Sequence, residues 1–341
     1  MQDVVNSEFD VQELAQFLAP RLENCSGNLQ LERIGGGYSN PTFFMQFDNG
    51  GDYVLRKQPT GPILPSAHAI DREFRVISAL AQSDVPVPKA HLYCDDSSII
   101  GTPFYVMERL EGRVFHNNAL PGLTPAERSA IFDSMNETLV ALHKVDYEKA
   151  GLGDYGRPDG FLQRQVSRWT RQFEKSQTRP IPEIDELSIW LSENIPDDNE
   201  ETSIVHGDFR LGNLMIHPEE LHVVAVLDWE LSTLGHPLSD LGYNLMAWIM
   251  DKSEHDGLGG LDLDALGIPS MQVYADLYFK RRGLEGRLEP FYIALAFFRL
   301  AVIFEGIVFR TKKAGKSTAE IAAVERYGAI FSRHGLKIAG E

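Results

Sequence analysis

The sequence predicts an α+β protein in which a small β-rich lobe precedes a larger, mainly helical lobe. Short runs of branched and aromatic residues, separated by turn signals, dominate the chain before residue 108, and helical periodicity dominates it afterwards. The chain has 341 residues, 43% of them hydrophobic, so it can bury a sizeable core. We therefore expect two lobes, residues 1–108 and residues 109–341.

The first lobe is expected to begin with an amphipathic helix over residues 8–24 and to continue as a sheet. Asn49-Gly50 predicts a hairpin turn between two of the strands, because this dipeptide tolerates positive φ. A crossing helix is expected over residues 67–82, where apolar side chains recur at helical spacing. The predicted strands are Leu29–Ile34, Thr42–Phe47, Tyr53–Lys57 and Ile99–Met107.

The second lobe opens on a capping box, Thr124 to Glu127, which predicts a helix start. Two short branched runs, Ser203–His206 and Val223–Leu227, read as strands, and long helices follow. The most apolar window, residues 291–309, contains Arg299 and Glu305 and is therefore expected to be a buried helix rather than a membrane span.

The charge balance narrows the classes of partner. Lys and Arg total 32 against 49 Asp and Glu, a net charge of −17. Such a surface repels nucleic acid and anionic membranes, so we expect a small-molecule substrate and no nucleic-acid or membrane partner. Two cysteines and no apparent signal peptide indicate a cytoplasmic protein. The oligomeric state is left open.

The strongest chemical signal is the run His206–Asn213, followed fifteen residues after Asn213 by Asp228-Trp229-Glu230. Phosphoryl transfer needs a carboxylate that orients the attacking hydroxyl, and oxygen ligands that hold Mg²⁺ on the phosphates. Two aspartates and an amide supply these parts. Because two carboxylates around a polyanionic nucleotide repel each other, the charge count itself implies a divalent cation.

These motifs resemble the aminoglycoside phosphotransferase and choline kinase family, whose fold is protein-kinase-like and bilobal. The resemblance is nearest to the kinase-like domain fused to some acyl-CoA dehydrogenases, and it covers about residues 30–330. It implies that ATP and Mg²⁺ are the cofactors. The motifs that carry it are Gly37–Thr42, Tyr53–Lys57, Asp71–Phe74, Phe104–Glu108, His206–Asn213 and Gly235–Pro237.

The resemblance also implies a role for each residue that matches a family motif. Asp208 matches the catalytic base, and Asn213 and Asp228 match the metal ligands. Glu230 matches a glutamate that binds metal through water or touches the substrate, and a structural salt bridge is an equal alternative.

Nucleotide-binding residues are expected in the first lobe. Gly36, Gly37 and Ser39 lie in a loop between two strands, where glycine lets backbone amides approach phosphates. The segment Met107–Glu111, including Glu108, is expected to form the hinge that binds adenine.

The position of the phosphate-binding cation is ambiguous in the sequence. Arg56 and Lys57 are adjacent on one strand and therefore face opposite ways. If Val54 lines the nucleotide site, Arg56 shares its face and Glu73 is its ion-pair partner. Lys57 remains the alternative.

The acceptor signals conflict. Residues 183–201 contain eight acids and no base, which favours a cationic acceptor. A basic stripe, which includes Arg164 and Arg168, recurs at helical spacing and favours a carboxylate or a phosphate-bearing acyl carrier.

The predicted function is transfer of the ATP γ-phosphate to a hydroxyl of a small molecule, with a hydroxy-acyl compound as the acceptor that the nearest resemblance implies. The alternatives are a non-catalytic nucleotide-binding scaffold and an aminoglycoside or choline-type kinase. A protein kinase fits less well, because Gly207 stands where those enzymes carry arginine.

Overall fold

The computed structural model divides into two compact units. The first unit contains the residues up to Arg113 together with two later segments, Ala150–Leu152 and Met215–Leu231, and the second contains the remainder. The sequence predicted a single boundary after residue 108 and gave no indication that two later segments belong to the first unit. The structure describes residues 9–35, 40–60, 69–197, 201–315 and 317–340.

A five-stranded antiparallel sheet of order β1-β2-β3-β5-β4 forms the centre of the first unit. Its strands are β1 (Leu29–Arg33), β2 (Thr42–Phe47), β3 (Asp52–Lys57), β4 (Ala90–Cys94) and β5 (Phe104–Glu108). The turn between β2 and β3 uses Gly50 at φ +88°, as its dipeptide predicts. Helices α1 (Val11–Leu18) and α2 (Ile70–Leu80) belong to the same unit.

The two faces of this sheet have different environments. One face packs into an apolar cluster that includes Leu14, Phe43, Leu55 and Phe104. The other face carries Arg56, whose partners in register are Thr42 on β2 and Tyr105 on β5. Because strand side chains alternate, the sequence of β3 alone determines which cation is placed on each face.

The strand predicted at residues 99–107 is wrong in its first half. Asp96 accepts a hydrogen bond from the amide of Ser98 and starts a short helix, α3 (Ser97–Ile100), which Gly101 ends at φ +82°. The strand begins only at Phe104. The periodicity of apolar residues did not reveal this capping.

The remaining strands are short. A three-stranded sheet of order β6-β8-β9 precedes Asp228, and β7 pairs with β10 in the second unit. Their bounds are β6 (Arg113–Val114), β7 (Ser203–Val205), β8 (Leu214–Ile216), β9 (Val223–Val226) and β10 (Thr233–Gly235).

Helices dominate the second unit. The longest, α10, contains the whole of the predicted apolar window and packs against α5, α6, α7 and α11. It is long and apolar enough to cross a bilayer, but 78% of its apolar window is buried inside the protein, as in the core helix of a globular unit. The helices are α4 (Pro125–Lys144), α5 (Phe161–Ser176), α6 (Pro182–Glu193), α7 (Leu238–Ile249), α8 (Leu263–Leu266), α9 (Met271–Arg282), α10 (Pro290–Lys313) and α11 (Thr318–Ala339).

Candidate active site

The loop His206–Asn213, here called the Asp208 loop, follows β7 and is fixed by a buried carboxylate. Asp240 on α7 accepts the backbone amide of His206 at 2.6 Å and that of Gly207 at 2.8 Å. Gly207 adopts φ +83°, a left-handed conformation that favours glycine. Asp240 therefore holds both residues that precede Asp208.

Asp240 is itself held by His143 on α4. Nε2 of His143 lies 3.3 Å from the carboxylate, and Nδ1 lies 2.7 Å from the hydroxyl of Tyr278. The neutral tautomer with hydrogen on Nε2 satisfies both contacts. Burial lowers the pKa of His143, which favours this neutral form. For Asp240, burial alone would raise the pKa, but the hydrogen bonds it accepts lower it overall, so it remains ionised.

The carboxylate of Asp208 is oriented within its own loop. Nδ2 of Asn213 donates to Asp208 Oδ2 at 2.7 Å and to its backbone carbonyl at 2.8 Å. Nε of Arg210 lies 3.5 Å from Oδ1. The Asp208 side chain stays 20% exposed, so it can meet a substrate. These contacts join the predicted base to the predicted metal-binding amide.

Asn213 also fits the role of an oxygen ligand. Its Nδ2 is used by Asp208, and no donor in the described parts of the chain bonds its Oδ1. Amide and carboxylate oxygens are the ligands that Mg²⁺ prefers. No cluster of three His, Cys, Asp or Glu side chains with metal-binding geometry occurs in the part of the chain that the structure describes.

Tyr243 on α7 is a neighbour of Asp208 that the sequence did not reveal. Its phenol lies close enough to the Asp208 carboxylate to be affected by its charge, and burial together with that negative charge raises the pKa of Tyr243. The phenol therefore keeps its proton and can act as a donor. Position 243 lies only one turn beyond Asp240 on the same helix, a relation that no motif spacing indicates.

A pocket of about 180 Å³ lies beside Arg210 and Tyr243 within the second unit. Its lining combines apolar side chains from α7 and α10 with polar side chains from α7 and three loops. His255 and Asp256, in one of these loops, both adopt positive φ, a strained conformation found at ligand-binding sites. The other lining residues are His116, Asn118, Asn244, Met246, Ala247, Met250 and Leu300.

In the first unit, Arg56 joins two carboxylates. Its Nε lies 2.7 Å from Glu73 Oε2, and its Nη2 lies 2.6 Å from Asp228 Oδ1. Glu73 is 1% exposed and also accepts hydrogen bonds from Asn40 and Tyr105. Burial alone would lower the pKa of Arg56, but Glu73 and then Asp228 raise it overall. The ion pair expected between Arg56 and Glu73 is present.

Lys57 points to the opposite face of the sheet. It is 1% exposed, and its Nζ lies 5.6 Å from the ring centroid of Phe9. Arg56, not Lys57, therefore shares a face with Glu73 and Asp228. That Arg56 binds phosphate stays a prediction.

Asp228 follows β9 in a left-handed conformation, with φ +65°. The amide of Val226 donates to the carbonyl of Pro86 at 2.8 Å, and the indole of the buried Trp229 donates to the carbonyl of Val226 at 2.9 Å. These contacts fix the backbone on both sides of Asp228. Aspartate tolerates this conformation better than most residues, and strain of this kind clusters at functional sites.

The other predicted site residues are placed as follows. Glu108 ends β5, where its amide and carboxylate both bond the backbone of Lys89. Glu230 is half-buried in the single turn after Asp228. Arg164 donates to the carbonyls of Arg157 and Asp159, so its guanidinium stabilises the loop that precedes α5.

Arg168 lies on the exposed face of α5, as the basic stripe predicts. The predicted phosphate loop residues Gly36, Gly37 and Ser39 lie outside the described residues.

Comparison with known proteins identifies the family of the chain. Residues 30–275 match the model of the phosphotransferase enzyme family, APH. The chain belongs to this family. The match contains the Asp208 loop with Asp240 and His143, Asp228 and the Arg56–Glu73 pair, whereas Tyr278 lies just beyond it.

Two curated relatives carry this family domain in longer chains. The chain is 45% identical over 310 residues to acyl-CoA dehydrogenase family member 11 of Rattus norvegicus, covering 89% of this chain and 40% of that protein. It is 42% identical to acyl-CoA dehydrogenase family member 10 of Mus musculus, covering 86% of this chain and 28% of that protein. The chain thus spans less than half the length of these relatives.

Solved structures of the phosphotransferase family show the same fold. A crystal structure from Ralstonia eutropha, provisionally described as an aminoglycoside phosphotransferase, is 44% identical with a TM-score of 0.88, covering 97% of this chain and 98% of that one. A GDP complex of aminoglycoside 2′-phosphotransferase-IIIa is 13% identical with a TM-score of 0.62, covering 97% and 99%. The kinase-like α+β fold expected from the motifs is confirmed.

Proposed function

We propose that this phosphotransferase family member transfers the γ-phosphate of ATP to a hydroxyl group of a small molecule. The observation that carries the proposal is the constraint on Asp208, whose carboxylate is bonded by Asn213 and whose loop is held by the buried Asp240. A carboxylate held in this way, yet open to solvent, suits a base that must meet an acceptor hydroxyl.

In the proposed reaction, Asp208 orients the acceptor hydroxyl and receives its proton. The hydroxyl oxygen forms a bond to the γ-phosphorus while the bond from phosphorus to the bridging β–γ oxygen breaks, which gives a phosphate ester and ADP. Asn213 and Asp228 would hold Mg²⁺, which when bound neutralises the charge of the phosphates. Arg56 would bind phosphate oxygens from the first unit, since its guanidinium fork matches their geometry.

The size of the pocket supports a small acceptor. An apolar cavity of about 150 Å³ holds benzene, so a pocket of 180 Å³ accommodates a comparable number of non-hydrogen atoms. The names of the curated relatives support an acyl compound, and we therefore propose a hydroxy-acyl acceptor. An aminoglycoside acceptor is the second candidate, which the Ralstonia eutropha structure favours.

The test is phosphoryl transfer from Mg·ATP to a panel of hydroxy acids, hydroxyacyl thioesters, aminoglycosides and choline. The Asp208→Asn variant keeps the shape of the side chain but loses the base, and its turnover should fall by about 10²–10⁴-fold with nucleotide affinity retained. Asp276→Asn, on an exposed face of α9, is the matched control. Full turnover in Asp208→Asn would exclude Asp208 as the base, and absence of transfer to every acceptor would favour a non-catalytic scaffold.

A further inference from the structure

Two arginines of the second unit lie against the same tryptophan. The guanidinium carbons of Arg168, on α5, and of Arg299, on α10, are each 5.5 Å from the ring centroid of Trp169. Arg299 also lies 5.2 Å from the ring centroid of Tyr243. We call Arg168 and Arg299 the guanidinium pair.

Among the residues that the structure describes, no carboxylate neutralises this pair. Within the described ranges, neither side chain forms an ion pair or a hydrogen bond, and the Nε of Arg299 is buried without a partner. The chain carries 49 acidic residues, and Arg179, Arg281 and Arg282 of the same unit each pair with one or more of them. Aromatic faces attract a cation but do not accept the five N–H donors that a guanidinium presents.

The two charges also affect each other. The Arg168 side chain keeps contact with solvent, but the part of it that the protein covers lowers its pKa, and the positive charge of Arg299 lowers it further. Two cations held together without an anion are unfavourable, and a bound anion would relieve both the repulsion and the unpaired donor.

Tyr243 connects the guanidinium pair to the candidate catalytic base. Arg299 lies over the ring of Tyr243, and the Asp208 carboxylate is close enough to that phenol for its charge to raise the pKa of Tyr243. Arg299 therefore contacts a neighbour of the Asp208 carboxylate, and Arg168 is linked to Arg299 through Trp169. All of these residues belong to the second unit, which also contains the pocket.

We propose that Arg168 and Arg299 bind an anionic group, a carboxylate or a phosphate, on the acceptor molecule whose hydroxyl Asp208 deprotonates. This inference rests on the proposed function and narrows its acceptor class. Guanidinium forks match both anions in bidentate geometry. A cationic aminoglycoside or choline would meet two like charges at this position, so the pair selects against both.

The test compares charged and neutral forms of one acceptor series. The acceptors are 2-, 3- and 4-hydroxy acids of short to medium chain length, supplied as free acids, as methyl esters and as phosphopantetheine thioesters. The parent protein should prefer an anionic form over the ester by about 10–100-fold in kcat/KM, the contribution of one charge-assisted hydrogen bond. Preference for the acid identifies a carboxylate, and preference for the thioester identifies a carrier phosphate.

Variants then assign the preference to the pair. Arg168→Gln and Arg299→Lys should raise KM for the anionic acceptor with little change in kcat, and should leave KM for the ester unchanged. Arg171→Gln, on the exposed face of the same helix α5, is the matched control and should behave like the parent. Equal use of ester and anionic forms by the parent, or an unchanged preference in Arg168→Gln, would overturn the proposal.

Calorimetric titration without nucleotide separates failure of this inference from failure of the proposed function. Butyrate and phosphopantetheine serve as probes, because neither has to be phosphorylated to bind. Binding that is weakened in Arg168→Gln, without transfer to any acceptor, would support the anion site and contradict the kinase function. Transfer that proceeds while neither probe binds the parent would contradict the anion site alone.

Discussion

Arg56 and Asp228 form an ion pair of 2.6 Å between residues that stand 172 positions apart in the chain. The same guanidinium bonds Glu73, which is almost completely buried. One cation therefore compensates two carboxylates, and its removal leaves both of them without their main partner.

The first prediction concerns stability. Arg56→Met should lower the free energy of unfolding by about 3–5 kcal/mol, because it leaves an uncompensated carboxylate in the interior. Urea unfolding followed by circular dichroism measures this loss. Arg109→Met is the control, since Arg109 forms an exposed ion pair with Asp52, and a loss of about 0–1 kcal/mol is expected there. Equal losses in the two variants would show that burial of the Arg56 ion pairs adds nothing to the free energy of unfolding.

The second prediction concerns the metal and rests on the proposed function. Chelation with EDTA should abolish phosphoryl transfer, and Asp228→Asn should raise the Mg²⁺ concentration for half-maximal rate by at least about 10-fold. The variant keeps the size of the side chain, so the Mg²⁺ titration reports the charge. Asp95→Asn, on an exposed loop of the first unit, should titrate like the parent. A parental Mg²⁺ curve in Asp228→Asn would remove Asp228 from the metal site.

The third prediction is a pH dependence of stability that arises from His143. Burial holds its pKa below the ordinary value of about 6.5. As the pH falls below about 6.5, the unfolded chain binds a proton at this ring before the folded protein does, so the stability contributed by neutral His143 is lost. His91 and His255 have pKa values lowered in the same direction and add to the effect.

Urea unfolding between pH 7.5 and pH 5.5 tests this assignment. The free energy of unfolding of the parent should decrease on acidification, by at most about 1.4 kcal/mol per pH unit for each such histidine. His143→Gln should show a shallower slope, and His222→Gln, at an exposed ring, controls for the loss of one histidine. A slope that stays the same in His143→Gln would mean that the pH dependence originates elsewhere.

The fourth prediction uses two helical glycines with opposite environments. A Cβ on Gly242 would lie 2.6 Å from the backbone of Tyr292, so Gly242→Ala should destabilise the protein by about 1–3 kcal/mol through overpacking of α7 against α10. A Cβ on Gly306 would come no closer than 3.5 Å to any neighbour, the Arg310 side chain. Gly306→Ala should therefore stabilise it by about 0.5–1 kcal/mol, because alanine restricts the unfolded chain. Thermal unfolding should show a lower melting temperature than the parent for Gly242→Ala and a higher one for Gly306→Ala.

Local pattern predicted much of the fold and part of the site. Strand alternation placed Arg56 and Lys57 on opposite faces, and motif spacing identified Asp208 and Asn213, which the structure joins by a hydrogen bond of 2.7 Å. These relations depend on residues close together in the chain or on one strand. The catalytic and nucleotide roles of these residues remain predictions.

The supporting residues come from distant helices and could not be predicted in this way. Asp240, His143 and Tyr243 act on the Asp208 loop only after α4 and α7 have packed, so no spacing within the sequence relates them. Arg299 was recognisable in the sequence as a charge inside an otherwise apolar helix. Together with Glu305 it indicated a buried helix rather than a membrane span, but its position over the ring of Tyr243 could not be predicted.

The last segment of the first unit, Met215–Leu231, lies about a hundred residues after Arg113 in the sequence. During synthesis the ribosome delivers the five-stranded sheet long before it delivers β9 and Asp228. Glu73 and Arg56 therefore lack their third partner until Asp228 itself has been synthesised. A gene fragment that stops at residue 113 would therefore encode the sheet without the segment that completes its charge network.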